Sequence, residues 1–387
     1  MNCSHSAGII VEFNPLHNGH LTHIKETRKL TGCKYIVAVM SGNFVQRGEP
    51  AICNKWLRTK MALLHGVDIV IEIPVQYVIS GADYFARGSV TLLKATGVVD
   101  TLCFGSESGN LQEIVSAGHI LACEPDLYKT ELRMALDRGL SFAAARGLAL
   151  EKAFANKPSD GLLTKPNNGL GIEYCKALKL LDSSMEVLTT HRVMGGPSAT
   201  KIRKNLFENV MQDMPMNVVE ILQSVNKFVK LDDYSDAFRY LLYRGSDLLD
   251  SLGEGLGNRF RRMCCDHLQI SDLLAAVKTK RYTYTRLQRT AIQILLDISA
   301  KDMDLYEKHG GVQYLRVLGF RKEAAELVGE ITRKASLPVI TNGVAIDRLL
   351  QDDSVAAKML QQEFIAGDIY RLIANGSSER TYGIVVV

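Results

Sequence analysis

The chain has 387 residues, of which 47% are hydrophobic and 23% are charged, a composition that excludes a disordered chain and predicts a globular protein. Because this length exceeds the roughly 250 residues at which a single core usually stops growing, we expect two domains. The net charge of +4 is too small to indicate nucleic-acid binding by itself, so a nucleic-acid site would need a local basic patch.

The sequence contains no run of about 20 apolar residues, and its start lacks the basic and apolar regions of a secretion signal. We therefore expect a cytoplasmic protein without a membrane-spanning segment. The eight cysteines form no CxxC pair, which indicates reduced thiols and gives no reason to assign metal ligands.

The first half of the chain alternates short apolar segments with helical patterns, which predicts an α/β fold with a Rossmann-like parallel sheet. The apolar segments are nearly continuous, as in strands that are covered on both faces. The predicted strands are residues 7–13, 35–41, 68–73, 101–105 and 186–190. The predicted helical segments are residues 19–30, 54–65, 82–95, 111–154, 171–181 and 198–207.

Beyond residue 214 the strand patterns nearly vanish, and the apolar spacing predicts helices. These helices are residues 218–225, 233–242, 258–267 and 283–298. We therefore expect a mainly α-helical C-terminal domain, with residues 1–212 and 213–387 as the two domains. For residues 381–387 the sequence leaves both an edge strand and a tail open.

Residues 12–20 lie where the first predicted strand meets the first predicted helix, the position at which open parallel sheets bind ligands. Gly19 lets a phosphate approach the backbone, and the helix start offers N–H groups to an anion. His17 and His20 are three residues apart, so both can face one phosphate and stabilise charge that develops on it. The alternative interpretation is that both histidines belong to an ordinary surface loop. The sequence has no P-loop motif, and GxGxxG is absent from this first turn.

The HNGH segment at residues 17–20 resembles the HxGH motif of the nucleotidylyltransferase superfamily, in which a substrate attacks the α-phosphate of ATP. SATKIR at residues 198–203 is similar to the second superfamily motif, (S/T)xTxxR, with Ala199 in place of the usual second serine. The resemblance implies that the catalytic residues are His17, His20, Ser198, Thr200 and Arg203. Hydroxyl groups and a guanidinium at a helix start are suited to holding the β- and γ-phosphates.

Longer segments resemble the tRNA(Met) cytidine acetate ligase family over nearly the whole chain. They are residues 8–20, 39–50, 58–62, 66–68, 85–89, 104–107, 165–168, 274–289 and 314–319. The resemblance implies a nucleotidylyltransferase domain that forms acetyl-adenylate from acetate and ATP, and a helical tRNA-binding domain. The acetyl group would then pass to the wobble cytidine of elongator tRNA(Met), giving N4-acetylcytidine.

The same resemblance implies the ligands and the ATP site. ATP is expected to be the co-substrate and to carry Mg²⁺ with it, acetate and elongator tRNA(Met) are the expected partners, and neither a stable protein partner nor a membrane is implied. The implied ATP-binding residues are Ile10, Val11, Glu12, Phe13, Asn14, Pro15, Leu16, His17, Asn18, Gly19, His20, Leu21, Thr22, His23, Gly105, Asn167 and Arg192.

Two groups of basic residues remain. Residues 278–289 contain five cations, two tyrosines and no acidic residue, a mixture that can neutralise phosphates and stack on bases. The residues interpreted as tRNA contacts are Lys278, Lys280, Arg281, Tyr282, Arg286 and Arg289. The second group is expected at the same edge of the sheet as the HNGH segment, where it could counter the charge of the substrate carboxylate or of the tRNA backbone. It consists of Arg47, Lys55, Arg58 and Lys60. For both groups, and for Arg87, a solvated basic surface is the alternative.

Two other functions fit parts of these patterns. A nucleotidylyltransferase that adenylates a small phosphorylated cofactor precursor would use the same motifs, but it would leave the helical half unexplained. A non-catalytic RNA-binding protein could keep the ATP pocket as a regulatory site.

Overall fold

The computed structural model describes residues 5–154, 158–159, 162–192, 198–204, 211–279, 282–375, 379–380 and 383–387. Within these ranges the central element is an eight-stranded sheet, accompanied by a separate two-stranded hairpin. The strands are β1 (Ser6–Val11), β2 (Tyr35–Ser41), β3 (Phe44–Val45), β4 (Glu49–Pro50), β5 (Ile69–Ile73), β6 (Thr101–Ser106), β7 (Glu186–His191), β8 (Leu315–Phe320), β9 (Val339–Ile340) and β10 (Val385–Val386).

The sheet has the order β10-β8-β5-β2-β1-β6-β7, and β9 also pairs with β8. Strands β5, β2, β1, β6 and β7 are parallel to one another. The predicted parallel sheet is therefore confirmed, and its five strands lie within a few residues of the predicted ones. The remaining two-stranded unit is the antiparallel hairpin β3–β4.

Helices connect and cover the strands. In the first half they are α1 (Asn18–Thr31), α2 (Lys55–Leu64), α3 (Val75–Val78), α4 (Ala82–Ala95), α5 (Leu111–Cys123), α6 (Asp126–Asp137), α7 (Phe142–Ala153), α8 (Pro166–Leu180) and α9 (Ala199–Lys204). The later ones are α10 (Met216–Gln223), α11 (Ser235–Arg244), α12 (Asp247–Ser251), α13 (Leu256–Met263), α14 (Ile270–Val277), α15 (Tyr284–Leu296), α16 (Ala300–Lys308), α17 (Ala325–Lys334), α18 (Gly343–Leu350) and α19 (Val355–Ala374). Short 3₁₀ helices occupy Met211–Asp213, Leu231–Tyr234, Gly253–Gly255 and Lys322–Ala324.

Both faces of the sheet are covered, as the nearly continuous apolar strands predict. Along β2, Val37 and Val39 belong to one hydrophobic core, whereas Ile36 and Ala38 belong to another. This alternation arises because successive side chains of a strand point to opposite faces. Helices α1 and α2 contribute to the second core, and α4, α5 and α8 contribute to the first.

The C-terminal region is mainly helical, as predicted, but it also contains strand β8, which the sequence patterns did not predict. Strand β8 pairs antiparallel with β5, and five of its six residues are buried. Strand β10 pairs with β8, so the described end of the chain forms an edge strand. A short apolar run between helices has no distinctive period, and only its partner β5 makes it a strand. The division at residue 212 remains a prediction.

Among the described helices, none combines the length and the apolar character needed to cross a membrane.

Candidate active site

The order of the parallel strands creates a crevice at one edge of the sheet. Strand β1 lies between β2, the next strand of the chain, and β6, which follows much later. The crossovers therefore depart from β1 in opposite directions, and ligands of open α/β sheets bind at such a point, beyond the carboxyl ends of the strands. The HNGH segment follows β1, Gly105 lies near the end of β6, and Arg192 directly follows β7.

The segment after β1 is held by backbone and side-chain bonds. Phe13 has a φ of +46°, and the Asn14–Pro15 peptide bond is cis. The Asn14 side-chain oxygen accepts a hydrogen bond from the Ile52 N–H at 2.9 Å. The Glu12 carboxylate accepts one from the Gln46 N–H at 2.7 Å. The loop after β2 therefore fixes the segment that leads into α1.

His17 and His20 form a capping box at the start of α1. Nδ1 of His17 accepts the Gly19 N–H at 3.1 Å, and Nδ1 of His20 accepts the His17 N–H at 3.2 Å. The two rings stack, with centroids 3.7 Å apart. Because Nδ1 is an acceptor in both rings, the proton of each neutral imidazole is on Nε2. Each ring can therefore offer one Nε2–H donor to a ligand.

The electrostatic environment keeps these rings neutral. Burial, assisted by the positive charge of Arg192, lowers the pKa of His17 to about 4. Burial also lowers the pKa of His20 well below its usual value, with further contributions from His17 and Arg192. The pKa of His23 falls to about 4 for the same reasons, burial first and then Arg192. At neutral pH the site therefore presents neutral imidazole donors beside a guanidinium.

Arg192 lies on the other side of the crevice, after β7. Its guanidinium donates to the Asn167 side-chain oxygen at 3.3 Å. The Asn167 side-chain amide in turn donates to the Glu107 carboxylate at 2.7 Å. A methyl group added at Gly105 would have Thr190 Oγ1 as its nearest neighbour at 3.7 Å, so the backbone is accessible there. Gly105, Asn167 and Arg192 thus lie along the ends of β6 and β7 and the start of α8.

The second sequence motif reaches the first one through its arginine. Arg203 Nη1 donates to the Asn14 carbonyl oxygen at 2.9 Å, three residues before His17. Ser198 Oγ accepts the Lys201 N–H at 3.2 Å and so caps its own helix, whereas Thr200 is exposed. Arg203 is therefore brought to the HNGH segment, and Ser198 and Thr200 lie one turn away on the same short helix.

Two of the four basic residues expected at the sheet edge are buried instead. Lys55 Nζ lies 2.5 Å from a Glu72 oxygen and 2.9 Å from a Glu379 oxygen. Arg58 donates to the carbonyl oxygens of Glu12 and Gly42 and thereby joins the segment after β1 to the loop after β2. Both side chains are fully buried, so neither a cluster open to substrate or tRNA nor a solvated helix face describes Lys55 and Arg58. Both residues lie on a short helix in which Trp56 and Met61 are also buried, and these large apolar neighbours are the sequence signal that could have indicated burial.

Arg47 and Lys60 are exposed, as a surface group requires. Arg87 forms an ion pair with Glu307 at 2.8 Å and lies over the Tyr84 ring. Its role inside the molecule is therefore structural packing between α4 and α16.

The basic segment at the start of α15 is only partly open. Lys278 and Arg286 are exposed, and Lys280 and Arg281 lie outside the described residues. Tyr282 is only 6% exposed, and the Arg286 guanidinium lies 4.7 Å from the centre of its ring. Arg289 is partly buried, and this burial lowers the pKa of its guanidinium, with Arg286 as the second cause. Contrary to the expectation of an open stacking surface, the Tyr282 ring is covered.

Comparisons with known proteins match nearly the whole chain to one family. The sequence profile of the family described as HIGH Nucleotidyl Transferase matches residues 4–383. A tRNA(Met) cytidine acetate ligase of Caldanaerobacter subterraneus subsp. tengcongensis is 42% identical over 385 aligned positions, which cover 94% of each chain. One from a Thermoanaerobacter species is 40% identical over 391 positions, or 96% of each chain. The crystal structure of Thermotoga maritima TmcAL bound with alpha-thio ATP superposes with a TM-score of 0.92 at 32% identity, covering 99% of each chain.

Proposed function

The chain belongs to the HIGH nucleotidyl transferase family and, within it, to the tRNA(Met) cytidine acetate ligases, and from this premise we propose its reaction. The protein activates acetate with ATP as acetyl-adenylate and transfers the acetyl group to the wobble cytidine of elongator tRNA(Met). The observation that carries the proposal is the contact of Arg203 with the loop that leads to the paired histidines. It supports one triphosphate lying between the two motifs.

In the first step an acetate oxygen attacks the α-phosphorus of ATP, and the bond to the bridging oxygen breaks with its electrons going to pyrophosphate. The Nε2–H groups of His17 and His20 would stabilise the charge on the α-phosphate oxygens. Ser198, Thr200 and Arg203 would hold the departing pyrophosphate. No side chain needs to form a covalent intermediate.

The remaining ATP contacts would come from residues at the ends of β6 and β7 and the start of α8. Arg192 can pair with a phosphate or stack on adenine, and Asn167 can hydrogen-bond to the base or ribose. Gly105 leaves room for the nucleotide beside β6. Mg²⁺ would arrive bound to ATP, with most of its ligands from phosphate oxygens and water, and it would neutralise phosphate charge.

In the second step the exocyclic amine of cytidine attacks the acetyl carbon, the carbon–oxygen bond to AMP breaks, and the amine loses a proton. A wobble base lies in a single-stranded loop, so it can enter the pocket without melting a duplex. The exposed cations Lys278 and Arg286, together with Lys280, Arg281 and Arg289, would bind tRNA phosphates. Tyr282 would act by holding Arg286. A tRNA substrate also agrees with action in the cytoplasm.

One assay tests this proposal. Purified protein is incubated with ATP, acetate and an elongator tRNA(Met) transcript, and the digested nucleosides are analysed by mass spectrometry. We expect N4-acetylcytidine at the wobble position, and a loss of about 100-fold or more in the rate of its formation for His20→Ala. His119→Ala is the matched control, because His119 is an exposed histidine on α5, and it should behave like the wild type. ATP turnover with a small phosphorylated acceptor, without tRNA acetylation, would instead support a cofactor-adenylating enzyme.

A further inference from the structure

The hairpin β3–β4 lies between the two proposed substrate sites. On one side the Gln46 N–H binds the Glu12 carboxylate at the end of β1. On the other side the hairpin packs directly on the start of α15. Gly48 has a φ of +77°, and a methyl group there would lie 2.3 Å from the backbone nitrogen of Arg289. The hairpin is therefore in backbone contact with the helix that carries the proposed tRNA-binding cations.

Glu49, the next residue of the hairpin, uses both of its carboxylate oxygens. Oε1 accepts a hydrogen bond from the Gln288 side-chain amide of α15 at 3.0 Å. Oε2 lies 3.4 Å from Arg203 Nη2, while Nη1 of the same guanidinium donates to the Asn14 carbonyl oxygen. The Arg203 side chain is 18% exposed and that of Glu49 is 31% exposed, so both can still meet a ligand. A single carboxylate thus links the phosphate-binding motif to α15.

Building on the proposed function, we propose that Glu49 is a positioning residue that orients Arg203 toward the phosphates of ATP and couples this orientation to tRNA bound on α15. A guanidinium fixed at two points loses less conformational freedom when a phosphate binds. Because Gln288 holds the same carboxylate, movement of α15 on binding tRNA would be transmitted to Arg203. Bound tRNA should therefore change the affinity of the protein for ATP. Thermodynamic linkage requires ATP to change the affinity for tRNA by the same factor.

The direction in which Glu49→Gln changes the affinity for ATP distinguishes this role from a simple charge effect. A carboxylate near a triphosphate repels it, so if Glu49 acted only through its charge, Glu49→Gln would tighten ATP binding. If Glu49 orients Arg203, the same substitution weakens ATP binding, although glutamine keeps the shape and an acceptor oxygen for Gln288. The two accounts therefore predict opposite changes.

The first experiment measures the affinity of the full-length protein for α,β-methylene-ATP by calorimetry. We expect Arg203→Ala to raise Kd by about tenfold or more and Glu49→Gln by about fivefold. In the Arg203→Ala background, Glu49→Gln should have no further effect, since the two residues act as one unit. Thermal melting of each variant checks that the fold is retained.

Two results would contradict the positioning role of Glu49, and a third would contradict the proposed function. Tighter binding by Glu49→Gln, or an equal loss in both backgrounds, would overturn the positioning role while leaving the proposed function intact. An unchanged Kd for Arg203→Ala would instead contradict the proposed phosphate site itself.

The second experiment tests the coupling to α15. The Kd for α,β-methylene-ATP is measured with and without a saturating elongator tRNA(Met) transcript. We expect tRNA to change Kd by about fivefold in the wild type, and Gln288→Ala to remove most of this change. Gln293→Ala is the matched control, because Gln293 lies on the same helix but donates to the Ile79 carbonyl oxygen instead of to Glu49. The same Kd with and without tRNA in the wild type, or a full effect in Gln288→Ala, would refute the coupling.

Discussion

At the scale of single residues, the site depends on histidines that stay uncharged. A protonated imidazole would bind a phosphate more strongly in the ground state, but burial and Arg192 oppose protonation of His17 and His20. Their Nδ1 atoms accept backbone N–H groups, so protonation there would also break the capping box. The arginines therefore carry the positive charge of the site, and the histidines offer directed hydrogen bonds.

This assignment predicts a pH dependence. The pKa of His17 is about 4 in the folded protein and 6.5 when unperturbed, so the unfolded chain takes up its proton first as the pH falls. The free energy of unfolding should then decrease from pH 6.5 toward 4, and this contribution should be fully present above pH 6.5. NMR titration of ¹⁵N-imidazole-labelled protein should show His17 still neutral at pH 5.5. The resonance is assigned with His17→Gln, and a midpoint near 6.5 would contradict the account.

Gly48 provides a test of the contact between hairpin and helix. Gly48→Ala places a side chain in a left-handed backbone conformation and against the backbone of α15. We expect the free energy of unfolding to fall by about 2 kcal/mol or more, measured by urea denaturation. Gly147→Ala is the control, because this glycine lies inside α7 with no atom within 4 Å of an added methyl group. That substitution should be neutral or stabilising by up to about 1 kcal/mol, and equal effects of the two would argue against the contact.

At the scale of elements, a buried cluster of charges joins α2, β5, β8 and α19. Lys55 pairs with Glu72, Glu363 and Glu379, and Arg316 pairs with Glu72 and Glu379. Three carboxylates thus face two cations inside the protein. Burial and the neighbouring Glu72 raise the pKa of Glu363 to about 8, so Glu363 carries a proton at neutral pH and balances the cluster.

The protonated Glu363 makes stability depend on pH in the opposite direction to the histidines. Its pKa rises from 4.5 to about 8 on folding, so the folded protein holds an extra proton between these values. The free energy of unfolding should therefore fall as the pH rises from 4.5 to about 8, and this contribution should be lost above that pH. Glu363→Gln should reduce this slope between about pH 5 and 8 in urea denaturation, whereas Glu220→Gln, at an exposed position of α10, should not. An unchanged slope in Glu363→Gln would show that Glu363 is ionised.

The same cluster contains long-range contacts that could not be predicted from the sequence. The strand-to-helix position of HNGH and the apolar strands are local patterns, and they predicted the parallel sheet and the place of the crevice. Lys55 was misread because its partner Glu363 is 308 residues away along the chain. Arg58 was misread because it donates to backbone carbonyl oxygens, which no residue type in the sequence marks as partners. The contacts of Glu49 with Arg203 and Gln288 could not be predicted either, because they form only when distant parts of the chain pack together. Such pairings are set by tertiary structure, which a single sequence does not display.

At the scale of the whole molecule, the C-terminal half completes the sheet of the N-terminal half. All five residues of β5 are buried, and β8 supplies its outer partner. Without β8, the free edge of β5 would expose unpaired backbone groups and an apolar surface. The predicted division at residue 212 therefore separates β5 from the strand that pairs with its outer edge.

This arrangement predicts the behaviour of a fragment. Residues 1–212 expressed alone should fail to give the cooperative thermal transition of the full chain and should aggregate, because the β5 edge is open. Circular dichroism melting and size-exclusion chromatography of both proteins provide the measurement, with the full chain as the control. A monomeric fragment with a cooperative transition would show that the N-terminal region does not need β8.

The central claim is that acetate attacks the α-phosphorus of ATP held between the two motifs. It can be tested by supplying acetate labelled with ¹⁸O in both oxygens, together with ATP and elongator tRNA(Met), and analysing the nucleotide product by mass spectrometry. The account predicts AMP that carries one ¹⁸O atom, because the attacking oxygen stays on phosphorus when cytidine takes the acetyl group. Unlabelled AMP, or label released in inorganic phosphate together with ADP, would contradict it.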